Sequence, residues 1–228
     1  MFVSVETSDA VTVVGIDRPP ANAMSLELLD ELVDALEQLA ADVPKALLIA
    51  GRAGFFSAGV DLKAVPTYGP DEQRRMVNGI NRMVLATYGL SCPVIAAVTG
   101  HAIAGGLVLA LCADIRVVSR AGRYGLTEIK VGVPYPQAAI GVVAAELAPH
   151  SARVLALGNE LIGAVEGVRL GVFDEMVEPE QVVPRALSLA RGLAAFPPDT
   201  YARTKRELRG ATAARLAAAA AEDPLLAR

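Results

Sequence analysis

GHAIAGGLVLALCADI, residues Gly100 to Ile115, places two adjacent glycines between an apolar strand and an apolar helix. We predict the strand at Pro93–Val98, which is rich in β-branched residues, and the helix at Gly105–Ala113, which is almost wholly apolar. The first N–H groups of a helix lack intrahelical partners, and the helix dipole leaves partial positive charge there. Taken alone, Gly105 and Gly106 are explained by close packing of helix and strand. The alternative is an oxyanion hole, since glycine lets a carbonyl oxygen approach these N–H groups.

Three further segments favour the oxyanion hole. RPPANAMS spans Arg18–Ser25, FFSAGVDL spans Phe55–Leu62, and YGLTEIKVGVP spans Tyr124–Pro134. With the glycine stretch, these blocks resemble the crotonase superfamily, also called the enoyl-CoA hydratase/isomerase family, in the family's order and at about its spacings. The resemblance extends over about residues 11–177. One such block recurs by chance, whereas four in order make a specific pattern.

The resemblance implies that two backbone N–H groups from separate loops form the oxyanion hole. They would belong to Val60 and Gly105. Gly105 stands at the middle position of the family's usual triple glycine. The corresponding residues of this chain are Ala104, Gly105 and Gly106. With alanine at the first position, we expect the backbone at Ala104 to avoid the positive φ that glycine permits.

The resemblance also implies a coenzyme A thioester as the substrate, and no separate cofactor. Ala23 and Ala58 would lie near the adenine, and the loop from Val60 to Lys63 would surround the thioester and pantetheine. The residues that the resemblance assigns to substrate binding are Ala23, Ala58, Val60, Asp61, Leu62, Lys63 and Gly105. Four basic side chains are candidates for the CoA phosphates: Arg52, Lys63, Arg74 and Arg75.

The acid and base groups decide which reaction the site performs. Hydratases of this family use two glutamates, and Glu128 stands at the position of the second. At the first position, three residues after Gly105, this chain has Val108. Water addition needs both a base and an acid, whereas moving a double bond needs one group that removes a proton and returns it elsewhere. The sequence therefore favours conversion of 3-enoyl-CoA to 2-enoyl-CoA, with Glu128 as the single acid/base in an apolar pocket that raises its pKa.

Two alternatives stay open. One is an enoyl-CoA hydratase in which Glu128 acts with another group, such as a water molecule held by Tyr135. The other is a noncatalytic protein that binds acyl-CoA. Tyr135 and Pro136 are expected in the pocket wall. Dienoyl-CoA isomerases and aryl-CoA dehalogenases of the superfamily have an aspartate where this chain has Pro136, so the sequence disfavours both activities.

Composition excludes several other classes. The 228 residues carry a formal net charge of −4 and no dense run of Lys or Arg, which disfavours nucleic-acid binding. The pattern of the two histidines predicts no metal site: His101 is expected to pack or hydrogen-bond, and His150 to cap the C-terminal end of a helix. Cys92 and Cys112 lie in apolar segments and are expected to be reduced core residues.

No segment has the pattern of a signal peptide, and the most apolar run, Leu107–Ala113, is far shorter than the roughly 20 residues of a membrane span. We therefore expect a cytoplasmic protein that does not enter a membrane.

Strands and helices alternate along the first three quarters of the chain, which predicts an α/β architecture. The resemblance narrows it to a crotonase-like spiral of repeated β-β-α units, with a core at residues 1–178. Residues 179–228 are expected to form a helical region, shorter than usual in the family, that mediates assembly into a homotrimer or a dimer of trimers. Ser25 is the predicted N-cap of the first helix. The predicted strands are Val3–Thr7, Val11–Ile16, Lys45–Ala50, Pro93–Val98 and Ile115–Ser119, and the later helices are Asp71–Leu90, Val182–Ala195 and Asp199–Arg209.

Overall fold

The computed structural model describes residues 1–227, in which nine strands and eight α-helices alternate. The strands are β1 (Val3–Ser8), β2 (Val11–Ile16), β3 (Leu47–Ala50), β4 (Gly54–Ser57), β5 (Val94–Val98), β6 (Gly100–Ile103), β7 (Ile115–Ser119), β8 (Tyr124–Gly125) and β9 (Glu175–Val177). The helices are α1 (Leu26–Ala41), α2 (Pro70–Tyr88), α3 (Gly105–Leu111), α4 (Gln137–Glu146), α5 (Pro149–Ala156), α6 (Ala164–Arg169), α7 (Val182–Ala194) and α8 (Pro198–Ala221).

The strands form two sheets. Six strands make the larger sheet in the order β1-β2-β3-β5-β7-β9, and three make the smaller sheet in the order β4-β6-β8. Apart from the antiparallel pair β1 and β2, neighbouring strands are parallel. In β3-β4-α2 and in β5-β6-α3, the first strand joins the larger sheet and the second joins the smaller one. This repeated β-β-α unit confirms the predicted crotonase-like α/β fold.

The sequence predicts the strands of the larger sheet better than those of the smaller one. Strands β2 and β7 have the predicted bounds, while β3 and β5 begin one or two residues later than expected. The strand that leads into Gly105 is β6, however, and not β5 as expected. Strand β6 is only four residues long and includes glycine, histidine and alanine, which have low or moderate β-propensity.

Helix ends follow local chemistry. The Ser25 side chain accepts a hydrogen bond from the Leu28 N–H at 3.4 Å, which confirms the predicted N-cap of α1. The prediction for His150 is wrong, because His150 lies in the first turn of α5 rather than at a helix C-terminus. Pro149 explains the difference, since the fixed φ of proline suits the first position of a new helix.

Helices α7 and α8 occupy the C-terminal part of the chain, with Pro197 before α8 and Pro198 as its first residue. Helix α8 continues twelve residues past Arg209 without a break, through the alanine-rich segment, which the sequence also marks as helix-prone. The Arg209 guanidinium donates to the carbonyls of Cys112 and Ala113, each at 3.0 Å, and so binds α8 to the end of α3. The division at residue 178 stays a prediction.

Both cysteines are buried and free, and burial raises the pKa of Cys92 to about 11 and that of Cys112 to about 12. The His101 ring stacks on Phe55 with centroids 4.8 Å apart, and its Nδ1 accepts a hydrogen bond from the Arg123 N–H. Within residues 1–227, no helix is long and apolar enough to cross a membrane, and no cluster of three or more His, Cys, Asp or Glu side chains forms a metal site.

Candidate active site

The smaller sheet brings the predicted oxyanion residues and Glu128 to one edge. Strands β4, β6 and β8 run parallel, so their C-terminal ends lie on the same side of the sheet. Val60 follows β4 by three residues, Gly105 follows β6 by two, and Glu128 follows β8 by three. Three short strands, widely separated in the chain, thus place all three residues around one pocket, which each of them lines.

The two predicted oxyanion loops are in direct contact. A Cβ atom added at Gly59 would lie 3.1 Å from the Gly105 nitrogen, so only glycine leaves room for this approach. Beside it, the Met24 N–H donates to the Gly59 carbonyl at 2.7 Å, and the Asp61 N–H donates to the Met24 carbonyl at 3.0 Å. This pairing does not use the Val60 N–H. The Gly105 N–H belongs to the first turn of α3 and has no acceptor within the helix.

The expectation for Ala104 is wrong. Its backbone has φ of 52° and ψ of −126°, a conformation that L-residues rarely adopt and that glycine tolerates. Two hydrogen bonds hold it there: the Ala104 N–H donates to the Gly125 carbonyl at 2.8 Å, and the Val108 N–H donates to the Ala104 carbonyl at 3.0 Å. The turn that aims the first amides of α3 therefore keeps the geometry of a glycine although it carries a methyl group.

Ala104→Gly is expected to increase the stability of the fold. Relief of backbone strain contributes about 1–3 kcal/mol, and the greater freedom of glycine in the unfolded chain offsets about 0.5–1 kcal/mol of it. The methyl group donates no hydrogen bond, so activity should change by no more than a few-fold. Urea unfolding of both proteins measures the effect. A lower midpoint for the variant would show that the Ala104 methyl contributes more through packing than its backbone conformation costs.

The pocket beside these loops is predominantly apolar. Helix α3 contributes Val108, which is fully buried. Glu128 supplies the one carboxyl among the described residues that line the pocket. The lining residues are Ala58, Val60, Leu62, Ile80, Ala104, Gly105, Val108, Thr127, Glu128, Val131, Val133, Pro134, Tyr135, Pro136 and Ala139.

Glu128 is 7% exposed and stands at the start of a tight turn. Its carbonyl accepts a hydrogen bond from the Val133 N–H at 3.0 Å, which folds the segment back on itself. Burial raises the pKa of the Glu128 carboxyl, and the nearby Tyr135 hydroxyl acts against this as a potential donor. Glu128 Oε2 and Tyr135 Oη are both buried, and neither has a hydrogen-bond partner of good geometry among residues 1–227. Two adjacent polar groups thus remain available to a ligand in an otherwise apolar pocket.

The residues assigned to coenzyme A fall into two groups. Ala58, Val60, Leu62 and Gly105 line the pocket, whereas Ala23, Asp61 and Lys63 do not. The Asp61 carboxylate pairs with Arg18 at 3.0 Å and accepts from the Lys63 N–H at 3.0 Å. Asp61 therefore stabilises the conformation of the loop through contacts with other residues of the protein.

The four basic candidates for the CoA phosphates also differ in their surroundings. Arg52 pairs with Asp17 at 3.2 Å, Arg75 with Asp30 at 2.9 Å, and Arg74 with Asp71. Lys63 is exposed to solvent on the loop that follows Val60.

Sequence reasoning missed Asn22 as a residue that supports the site. Asn22 is fully buried with φ of 50°, and its amide donates to the carbonyls of Ile16, Phe55 and Phe56 at 2.8–3.2 Å. The backbone carbonyl of Asn22 also accepts a hydrogen bond from the Ser57 hydroxyl at 2.7 Å. These bonds join the RPPANAMS segment to β4 just before the predicted oxyanion loop. The tolerance of asparagine for positive φ was the available indication in the sequence.

Comparison with known proteins agrees with this geometry. The chain matches the family model described as enoyl-CoA hydratase/isomerase over residues 6–226. It is 33% identical over 227 residues to the human protein named enoyl-CoA delta isomerase 1, mitochondrial, covering 95% of this chain and 73% of that protein. It is 32% identical over 210 residues to the probable enoyl-CoA hydratase EchA17 of Mycobacterium tuberculosis, with 90% and 80% covered.

Solved structures give the same picture. Human mitochondrial delta3-delta2-enoyl-CoA isomerase superposes with a TM-score of 0.87 at 31% identity, covering 96% of this chain and 87% of that chain. An enoyl-CoA hydratase from Mycobacterium marinum superposes with a TM-score of 0.89 at 28% identity, covering 96% of each chain. Proteins with either name are thus about equally similar, so similarity alone does not distinguish the two reactions.

Proposed function

Because the chain belongs to the enoyl-CoA hydratase/isomerase family, we propose that it converts 3-enoyl-CoA thioesters to 2-enoyl-CoA thioesters. The observation that carries this proposal is that Glu128 is the one carboxyl among the described residues that line the pocket, where Val108 occupies the position of the first family glutamate. One carboxyl is sufficient for a double-bond shift, whereas water addition needs a second group to divide the work of acid and base.

The proposed mechanism has two proton transfers. The Glu128 carboxylate removes a proton from C2, and the electron pair of that C–H bond moves towards the thioester carbonyl, giving a dienolate. The N–H groups of Val60 and Gly105 donate to the dienolate oxygen, which stabilises its charge. The Glu128 carboxyl then returns the proton to C4 while the double bond forms between C2 and C3. No atom is added, so the mass of the thioester does not change.

The acidic limb of the kcat/KM profile is expected above the ordinary pKa range of glutamate. Glu128 must be ionised to remove a proton, and burial raises its pKa. Activity therefore falls as the pH drops through this raised value, while a raised pKa also makes the carboxylate a stronger base. Initial rates with 3-enoyl-CoA across acidic and neutral pH measure the limb. A limb at the pKa of an exposed glutamate would contradict the assignment of Glu128.

A hydratase is the second candidate, and Tyr135 is the observation that favours it. The buried Tyr135 hydroxyl lacks a hydrogen-bond partner of good geometry and lies beside Glu128, where it would hold a water molecule. Burial raises the pKa of Tyr135, and the charge of Glu128 raises it further. The hydroxyl therefore stays protonated and acts as a donor. Several similar proteins are also named as probable hydratases.

Mass spectrometry after incubation with 3-enoyl-CoA and 2-enoyl-CoA in parallel separates the candidates. A positional isomer of unchanged mass supports the proposal, and a product heavier by one water supports the hydratase. Binding of both thioesters without either product, and without hydrogen exchange at C2, would support a noncatalytic acyl-CoA-binding protein. Glu128→Gln serves as the control for background reaction in each incubation.

The remaining family properties are also proposals. Coenzyme A would extend from the pocket past Ala58 and the loop from Asp61 to Lys63 towards Ala23, entering as part of the substrate. Assembly as a homotrimer or a dimer of trimers is proposed from the family resemblance. Light scattering of the purified protein tests the assembly, and a monomeric mass would contradict it.

A further inference from the structure

Two buried polar side chains far apart in the sequence meet at the start of α4. Asn81 lies on α2 and is 2% exposed, while Asp223 follows α8 and is 3% exposed. The Asp223 Oδ2 accepts from the Asn81 amide at 2.9 Å. Neither residue lines the catalytic pocket, and the proposed proton transfers use neither of them.

The pair satisfies the first backbone N–H groups of α4. The Gln137 N–H donates to Asp223 Oδ2 at 2.8 Å, and the Ala138 N–H donates to Asn81 Oδ1 at 3.0 Å. Pro136 occupies the N-cap position and makes no side-chain cap, so this helix needs acceptors from elsewhere. A carboxylate at a helix N-terminus also interacts favourably with the helix dipole. Asn81 and Asp223 together therefore fix where α4 begins.

The position of this helix start bears on the pocket, because Tyr135 precedes it by two residues. Pro136, the residue between Tyr135 and Gln137, has φ locked by its ring, which leaves little freedom in the connection. Both Tyr135 and Pro136 line the pocket beside Glu128. A shift of the first turn of α4 would thus move the Tyr135 hydroxyl relative to the Glu128 carboxyl.

We propose that Asn81 and Asp223 are positioning residues, which hold the start of α4 so that the Tyr135 hydroxyl stays beside the Glu128 carboxylate. The inference rests on the proposed role of Glu128 as acid/base. Among the described residues, Tyr135 is the one titratable side chain that acts on the pKa of Glu128, and as a donor it lowers that pKa against the larger effect of burial. Displacing the hydroxyl should therefore make the carboxyl harder to ionise.

The experiment is a double-mutant cycle with Asp223→Ala, Tyr135→Phe and the combined variant. The first readout is the pKa of Glu128, measured by carbon-13 NMR of labelled glutamate carboxyls. The signal of Glu128 is assigned by its absence from the spectrum of Glu128→Gln. Each single variant should raise this pKa, and the combined variant should raise it no further than the larger single change. Measured below the pKa of Glu128, each should also lower kcat/KM about tenfold for each unit by which this pKa rises, because only the ionised carboxylate removes a proton. Glu222→Ala, which removes the neighbouring exposed carboxyl, should change neither quantity.

A purely structural role for Asp223 gives a different result. Asp223→Ala would then lower the melting temperature while leaving the pKa of Glu128 unchanged, or the two variants would add independently in the cycle; either outcome overturns the proposal. If Asp223→Ala does not fold, Asp223→Asn keeps the shape but places an N–H₂ group against N–H donors, and it should raise the pKa in the same direction. The titration needs no substrate, so absence of isomerisation would contradict the proposed function without obscuring this result.

Discussion

Glu128→Gln is expected to lower the rate of 3-enoyl-CoA isomerisation by about 10²–10⁴-fold, the usual contribution of a positioned acid/base group. Glutamine keeps nearly the shape of the side chain but does not accept a proton at C2 or return it at C4. The proposed oxyanion donors, the N–H groups of Val60 and Gly105, are backbone groups and stay in place. Substrate binding should therefore change little while kcat falls. Steady-state rates and a direct binding measurement with a 2-enoyl-CoA separate the two effects.

The same variant should be more stable than the parent protein at neutral pH. The pKa of Glu128 is raised in the folded protein by burial, so its stabilising contribution is present at low pH and is lost as pH rises through the folded pKa. Glutamine is neutral throughout and avoids this loss. Melting temperatures should thus differ at neutral pH and converge where Glu128 is protonated.

Glu160→Gln is the matched control, because Glu160 is an exposed carboxyl on a nearby loop. It should leave the rate and the pH dependence of melting unchanged. Retention of most isomerase activity by Glu128→Gln would remove Glu128 from the mechanism. Equal melting temperatures for Glu128→Gln and the parent at every pH would contradict the buried environment of this carboxyl.

The local motifs identified residues that meet at one pocket, but they did not predict the strands that bring these residues together. Short motifs identified three residues that all line one pocket: Val60, Gly105 and Glu128. The smaller sheet that brings them together was not predicted, because β4, β6 and β8 are two to four residues long. Hydrophobic periodicity needs a longer window to distinguish a strand from a turn.

Long-range polar contacts were beyond the reach of sequence patterns. Asp223 accepts a hydrogen bond from Gln137, which is 86 residues away, and nothing in the local sequence of either residue indicates the partner. The conformation of Ala104 was mispredicted for a related reason. Local preference disfavours positive φ for alanine, but the hydrogen bond from the Ala104 N–H to the Gly125 carbonyl favours it from outside the turn. A tertiary contact therefore overrides a local preference at the turn before α3, whose first amide is a proposed oxyanion donor.

Gly59→Ala is expected to lower kcat for isomerisation by about 10²–10³-fold, comparable to the loss of one oxyanion donor. The added Cβ would lie 2.7 Å from the Ile103 carbonyl oxygen and 2.8 Å from the Ala104 Cβ. One of these atoms belongs to the backbone of the opposing loop and the other is attached directly to it. Neither can turn aside as a long side chain would, so the loops must move apart. The N–H groups of Val60 and Gly105 would then no longer converge on one oxygen.

Backbone strain alone is a competing explanation, because Gly59 has φ of 77° and alanine is disfavoured there whatever its neighbours. Gly171→Ala is the control: Gly171 has φ of 71°, and an added Cβ would meet no atom within 4 Å. Both variants should lose similar stability from strain, about 1–3 kcal/mol, with a further loss at Gly59 from the steric overlap. Gly59→Ala should lose most of its kcat, whereas Gly171→Ala should not. In both variants Glu128 should keep its raised pKa. Equal activity of the two variants would mean that contact between the oxyanion loops is not needed for catalysis.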